Sequence, residues 1–379
     1  MKKSLIAAAL LGTFAASAFA APSVTLYGRI DTGLVYTHKN LDNTAGSTDE
    51  FSMESGFSTG NRWGLKGTED IGNAKVGFVL ESGFNSDDGV SGQSGRLFGR
   101  EAQVNVSGAY GTLYAGRLAS IASDAGSIGY LGDVSAFPNG FGIVGTQKGS
   151  TGTAYDRYDN TLAYQTPTFG GLQGAIMYSF KGDAKVSDSN PKEVANAREN
   201  SGDADRYLAA GLRYKAGKAA VVLTGDMTMY SNDVNNVYHD VDNGYSFILG
   251  GNYDFGVAKV FAKATYFDNQ VNVIDSFSLI KDARDLKKAE ALKGWGAELG
   301  TNVPAFGGNF LAAVGYRDAK DVDDGSYKFK RWNAAVGYTY AFSKRTNVYG
   351  LAGYAQEKAN ALDRKASGAQ AGFGLVHKF

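Results

Sequence analysis

The sequence predicts an all-β protein, a 16-stranded antiparallel transmembrane β-barrel. Three observations point there: a leader that exports the chain, apolar side chains that alternate residue by residue to the C-terminus, and connections that alternate between tight and long. The leader comes first. Met1, Lys2 and Lys3 make a basic start, an apolar run extends from Leu5 to Phe19, and Ala18-Phe19-Ala20 is a small-residue cleavage site. This is the pattern of a secretory signal peptide over 1–20, with 21–379 as the folded unit. The run is short for a membrane anchor and ends in Ala-x-Ala.

Composition narrows the class. The 379 residues carry 38 Lys and Arg against 38 Asp and Glu, so no charge bias points to nucleic acid. There is no cysteine, so disulfides do not hold this exported chain together. Beyond the leader no apolar run reaches the length of a membrane helix. The mean hydropathy of −0.24 is that of a soluble protein. Yet 51 glycines, 22 tyrosines and 22 phenylalanines against 5 prolines suit strands with one apolar and one polar face. A hydropathy average does not detect such strands.

The alternation places strands at 24–36, 51–68, 74–84, 97–107, 112–117, 154–166, 172–180 and 206–215. They continue at 219–230, 244–254, 257–267, 294–303, 309–318, 328–342, 346–356 and 367–379. Tight connections such as 109–111, 216–218 and 255–256 alternate with long polar ones such as 38–50, 181–205, 231–243 and 268–293. Within the long ones, 190–193 and 278–293 read as short helices, the first from Asn190 capping ahead of Pro191. This is an up-and-down sheet with one trimmed rim and one elaborated rim, and an even count puts both termini at the trimmed, periplasmic rim. In hydrocarbon every unpaired backbone group is costly, so the first strand must pair with the last. The final residues, GFGLVHKF, keep Phe373, Leu375, His377 and Phe379 on one face, and Phe379 closes the barrel at the membrane interface.

In SVTLYGRIDTGLVY, Val24, Leu26, Ile30, Leu34 and Tyr36 face outward, and Thr25, Tyr27, Arg29, Asp31 and Val35 face inward. The same reasoning turns Arg62, Lys75, Glu81, Arg157 and Asp159 inward, with Trp63, Leu65, Phe78, Tyr158, Leu162 and Tyr164 outward. A charge on the lipid face near the midplane costs about 2–4 kcal/mol, so inward arginines imply a charged, water-filled lumen. One stretch resists. In GREAQVNVSG an inward Arg100 turns Glu101, Gln103 and Asn105 outward. We read this wall as buried in an oligomer interface; a bulge that resets the alternation is the other solution.

SVTLYGRIDTGLVY, NRWGLKGTEDIG, GRLFGREAQVNVSGAYGTLYAGR and RYDNTLAYQTPTFGGLQGA resemble the general porins of Gram-negative outer membranes, nearest to the neisserial-type family of beta-proteobacteria. The resemblance implies an outer-membrane homotrimer set in lipid and lipopolysaccharide. It implies passive passage of ions and small hydrophilic solutes, with no enzyme chemistry and no cofactor. It also implies that the third long loop, 118–153, folds into the lumen and narrows the pore. The family's basic wall carries over to Arg29 in LYGR, Arg62 before WGLKG, Arg100 at the head of REAQV and Arg157 in DRYDN. In AFPNGFG, Asn139 follows Pro138 where relatives often place an acid, which leaves Glu81, Asp124 and Asp133 for the acidic side. Guanidinium groups stay charged, and rings of fixed charge set ion preference. The expectation is a preference for anions.

Other signals point nowhere else. GFGIVG at 140–145 lacks the strand before and the helix after that a dinucleotide site needs. His38, His239 and His377 have no metal-ligand spacing. DVDNG at 240–244 and DVDDG at 321–325 read as solvated acidic turns. The competing function is a channel selective for sugars or peptides. It would want aromatic residues along the lumen, whereas the alternation sends many tyrosines outward, though Tyr27 faces in.

Overall fold

The computed structural model describes residues 23–41, 46–137, 141–142, 145, 157–184, 197–233, 241–271 and 291–379. The leader, the helix expected at 190–193, residues 278–290 of the one expected at 278–293, His239, Pro138 and Asn139 lie outside the described residues; Leu292 and Lys293, expected to be helical, instead open a strand. The strands are β1 (Ser23–Leu41), β2 (Gly46–Ser55), β3 (Arg62–Asp70), β4 (Lys75–Gly83), β5 (Glu101–Gly108) and β6 (Gly111–Ala119). Next come β7 (Arg157–Gln165), β8 (Leu172–Ser179), β9 (Arg206–Ala216), β10 (Ala219–Met229), β11 (Gly244–Asp254) and β12 (Lys259–Gln270). Last are β13 (Leu292–Ala305), β14 (Gly308–Asp321), β15 (Lys328–Ala341), β16 (Thr346–Ala359) and β17 (Arg364–Lys378).

These segments form one closed antiparallel sheet. Seventeen segments make sixteen staves, because β2 and β3 share one position. β2 pairs with the Thr32–Leu41 half of β1, and β3 pairs with its Ser23–Arg29 half. Closure is by β1 against β17, from Arg29↔Lys378 to Leu41↔Ala366. Gly28 and Phe379 then exchange backbone hydrogen bonds, each 3.1 Å long. A glycine is needed at 28, since a Cβ there would lie 2.2 Å from the Phe379 ring.

Two faces follow from the pleat. Leu26, Val104, Leu113, Leu162, Leu249 and Val336 are exposed on the outside, where lipid is the natural solvent. Asp226, Ser246, Lys263, Glu298 and Glu357 are buried on the inside. The inward set read from the first strand holds: Arg29, Asp31 and Val35 are on the shielded face, while Val24, Leu26, Ile30 and Tyr36 are exposed.

Three expectations are corrected. The stretch 38–50 is not a long loop. β1 and β2 continue as a hairpin through Thr37↔Glu50 to Leu41↔Gly46. Cross-strand polar pairs hold it, with the Tyr36 hydroxyl 2.5 Å and His38 Nδ1 2.9 Å from Asp49 Oδ1. A strand that rises beyond the hydrocarbon needs no apolar face, so its polarity reads as loop.

Second, β5 begins at Glu101, and Arg100 belongs to the connection before it. Glu101 and Gln103 are buried, and Val104 is 48% exposed. The alternation therefore resets between Arg100 and Glu101, whose side chain accepts the Ser127 N–H at 3.2 Å. The outer face of β5 is apolar, so the reset is the solution found, and no outward row of polar side chains is left to argue for an interface at this wall.

Third, Tyr158 faces inward. The β6–β7 register shifts between Gly116↔Thr161 and Leu118↔Tyr158, with Asn160 at φ 49°. This bulge turns Tyr158 onto the buried Tyr207, the rings stacked at 3.8 Å. Beyond the bulge Leu162 is outward as expected.

Candidate functional site

The site starts from register. Arg29 of β1 is the direct partner of Arg62 of β3, so two inward guanidinium groups stand side by side. β4 adds Glu81, whose carbonyl accepts the backbone N–H of Arg100 at 3.1 Å. That turn brings the Arg100 side chain back along the wall, and its Nε donates to Glu81 Oε1 at 2.6 Å. The Tyr27 hydroxyl donates to Glu81 Oε2 at 3.0 Å, and Arg62 Nη1 lies 3.8 Å from Oε1. Arg62 and Arg100 thus meet at one carboxylate, and Arg29 lies within its field. Arg157, at the start of β7, interacts electrostatically with Arg62 and with Glu101. Lys66 extends the positive face, its ammonium 5.2 Å from the centre of the Tyr27 ring.

Glu81 therefore sits among the arginines and not across from them. It is what lets like charges crowd together in a shielded place, since an unpaired buried charge is strongly destabilising. Asp159, read as inward, accepts from Arg117 Nη1 at 2.6 Å and from Arg96 Nη1 at 3.0 Å. Arg96 also pairs with Asp183.

The end of β6 and the residues after it pack on inner-face side chains. Leu118, Ile121, Ile128, Tyr130, Leu131 and Val134 form one apolar cluster with Met177, Tyr207, Val222 and Ile248. Farther on, the Ser135 hydroxyl bonds to Glu298, and Ala136 and Phe137 join Leu311, Ala313, Ala335 and Leu351. The segment follows the inner wall from β6 toward β16. It carries the other two predicted acids. Asp124 lies in the field of Lys263, whose Nζ is 3.4 Å from Glu298. Asp133 pairs with Lys215 of β9, and its carbonyl accepts from Asn252 Nδ2 at 2.6 Å.

One part of the site escaped the sequence reading. Residues 56–61 leave the wall between β2 and β3 and turn inward. Thr59 Oγ1 accepts from Arg29 Nη1 at 2.6 Å, and the Gly60 carbonyl accepts from Arg62 Nε at 3.1 Å. The signal was the pair Gly56 and Gly60 inside an otherwise strand-like run, since glycine within a strand marks a bulge or close approach. Gly56 has φ 69°, a conformation that favours glycine.

Chemically the arrangement supplies fixed positive charge beside a lumen. Among the described residues no group of three or more His, Cys, Asp or Glu is placed to hold a metal ion.

Comparison with known proteins agrees with this geometry. The chain matches the Gram-negative porin family over residues 7–360. It is 36% identical over 406 aligned residues to an outer membrane porin protein of Bordetella pertussis, covering 100% of both chains. It is 29% identical over 388 to the major outer membrane protein P.IB of Neisseria gonorrhoeae, again covering 100% of both. Among solved structures it resembles the anion-selective porin from Comamonas acidovorans, with a TM-score of 0.65 and 24% identity over 94% of this chain and 100% of that one. A closed sixteen-stave barrel and a family match over nearly the whole chain lead to one conclusion: the chain belongs to the Gram-negative porin family and is an outer-membrane channel for passive diffusion of small hydrophilic solutes.

Proposed function

We propose that this porin prefers anions, and that the preference arises where residues 118–137 of the 118–153 loop narrow the lumen opposite the arginine wall. The observation that carries the reading is the meeting of Arg62 and Arg100 at the single carboxylate of Glu81, with Arg29 within its field. Fixed charges act over about 8 Å at physiological salt, so a narrow aqueous gap beside them lies within their field. Asp133 is neutralised by Lys215, and Asp124 lies near Lys263, which reduces the opposing negative side. The anion selectivity named for the Comamonas acidovorans porin supports the same sign.

Charge reversal tests the proposal. Arg62→Glu and Arg100→Glu each shift the zero-current potential in a salt gradient toward cations. Wild-type potentials in both variants would remove these residues from the narrowing.

Family membership supports assembly as a homotrimer in lipid and lipopolysaccharide. Light scattering of the detergent-extracted protein reads the mass of three chains; a single-chain mass overturns this part.

A further inference from the structure

Between β2 and β3 the chain leaves the wall for residues 56–61 and then returns to the same partner strand. Barrel closure does not require this detour. Asp31, the β1 residue left facing the gap, holds it from several sides. Its carbonyl accepts the Gly56 N–H at 2.9 Å, and its own N–H donates to Asn61 Oδ1 at 2.5 Å. Its Oδ2 accepts the Ser58 N–H at 2.9 Å and the Thr59 N–H at 2.7 Å. Its Oδ1 accepts the Tyr349 hydroxyl of β16 at 2.8 Å. The carboxylate is fully buried, so this saturation of its lone pairs is what makes the burial tolerable.

The two ends of the detour engage different parts of the lumen. At the tip, the Phe57 carbonyl accepts the Phe141 N–H at 2.5 Å. The Phe57 ring meets the Phe141 ring edge-on at 5.8 Å. Phe141 also meets Phe137 at 5.4 Å and Tyr349 at 5.8 Å. Phe137 ends the continuously described run that starts at Leu118, and Phe141 is a little farther along the same loop. At the base, Thr59 and Gly60 hold Arg29 and Arg62, and a Cβ on Gly60 would come within 3.2 Å of Arg100 Nη1.

We propose that the detour 56–61 is a latch. It clips the far end of the lumen segment to the wall and, through the same six residues, sets the positions of the arginines. Asp31 is the positioning residue that keeps the latch closed. Pore width and ion preference are then coupled through one element. The inference rests on the reading that the segment narrows the pore.

The test uses the full-length protein in planar bilayers, reading open-channel current noise and the zero-current potential in a KCl gradient. Phe57→Ala removes the ring contacts of the tip and leaves the backbone bond to Phe141; noise rises severalfold and the potential stays near wild type. Asp31→Asn loosens tip and base together; noise rises as much and the potential moves toward zero. The double variant is no noisier than Asp31→Asn. Quiet channels in both single variants, or noise that adds in the double, overturn the latch. If Asp31→Asn does not assemble, Phe57→Ala and Phe57→Leu carry the test, because they leave the clamp intact. A control replaces 124–135 by a short Gly/Ser linker. Wild-type conductance in that control overturns the narrowing and the latch with it, whereas a wider control beside quiet single variants overturns the latch alone.

Discussion

The wall from β13 to β17 and the wall from β3 to β7 are built from the same alternating ribbon, yet they behave differently. Strands β13 to β17 are 14 or 15 residues long and pair without a register shift. Strands β3 to β7 are 8 or 9 residues long. There the alternation resets at Arg100, a bulge forms at Asn160, and just upstream the chain detours inward at 56–61. The regular wall is a partition between lipid and water. The regular wall has its own buried arginines, Arg317 and Arg331, paired with Glu357, whereas the interrupted wall, with Arg29 of the neighbouring β1, holds Arg62 and Arg100 at Glu81. An unbroken two-residue period can point at most every second side chain inward, along a straight line. Arg29 and Arg62 come from the regular pairing of β1 with β3; the turn at Arg100 adds the third guanidinium, and the detour at 56–61 supplies the oxygens that hold the first two.

Six substitutions break or sharpen this contrast. The largest effect falls on the seam of the regular wall. Gly28→Leu places a side chain where the Phe379 ring lies. Overpacking of this kind costs about 1–3 kcal/mol even in a forgiving core, and here it also opposes closure. Folded barrel, read as the heat-modifiable band on a gel, should fall to a small fraction of wild type. A normal yield would show that closure does not depend on this ring's seat.

Next is Arg100→Ala, in the interrupted wall. Arg100 and Glu81 are both nearly buried, and stripping one partner from such a pair costs about 3–5 kcal/mol. Thermal unfolding should shift downward and anion preference should weaken together. Arg62→Ala, whose contact with Glu81 is 3.8 Å, should be milder in stability yet similar in selectivity. Equal stability losses would mean that Glu81 does not distinguish its two partners.

Tyr158→Ala tests the bulge. Removing a ring stacked inside the barrel should cost about 2–3 kcal/mol by thermal unfolding. Tyr164→Ala, on the outer side of the bulge, should change conductance not at all. Reversed outcomes would restore the unbroken alternation. The smallest effect is expected from Val336→Ala on the lipid face of β15. Conductance and selectivity should match wild type, and any change would mean that the regular wall is more than a partition.

The same contrast explains what could be read from the residues alone. In β13 to β17 the period-two pattern survives to Phe379, and both the faces and the closure follow from it. In β1 it correctly turned Arg29 and Asp31 inward. It failed where backbone geometry, and not side-chain order, sets direction: Glu101 and Tyr158 changed face because of a strand start and a bulge. The role of Asp31 was also hidden. A buried carboxylate in a strand looks like any lumen acid until the backbone N–H groups of Ser58 and Thr59 are seen to end on it. Glu81 was legible as inward but not as a neighbour of Arg100, since that contact depends on a turn of the connecting chain.

The central claim is that arginines gathered on the interrupted wall give the lumen a net positive field. The most direct measurement is the zero-current potential of the wild-type channel in a planar bilayer under a tenfold KCl gradient. The account predicts a potential of the sign set by chloride. A potential of the sign set by potassium would contradict it.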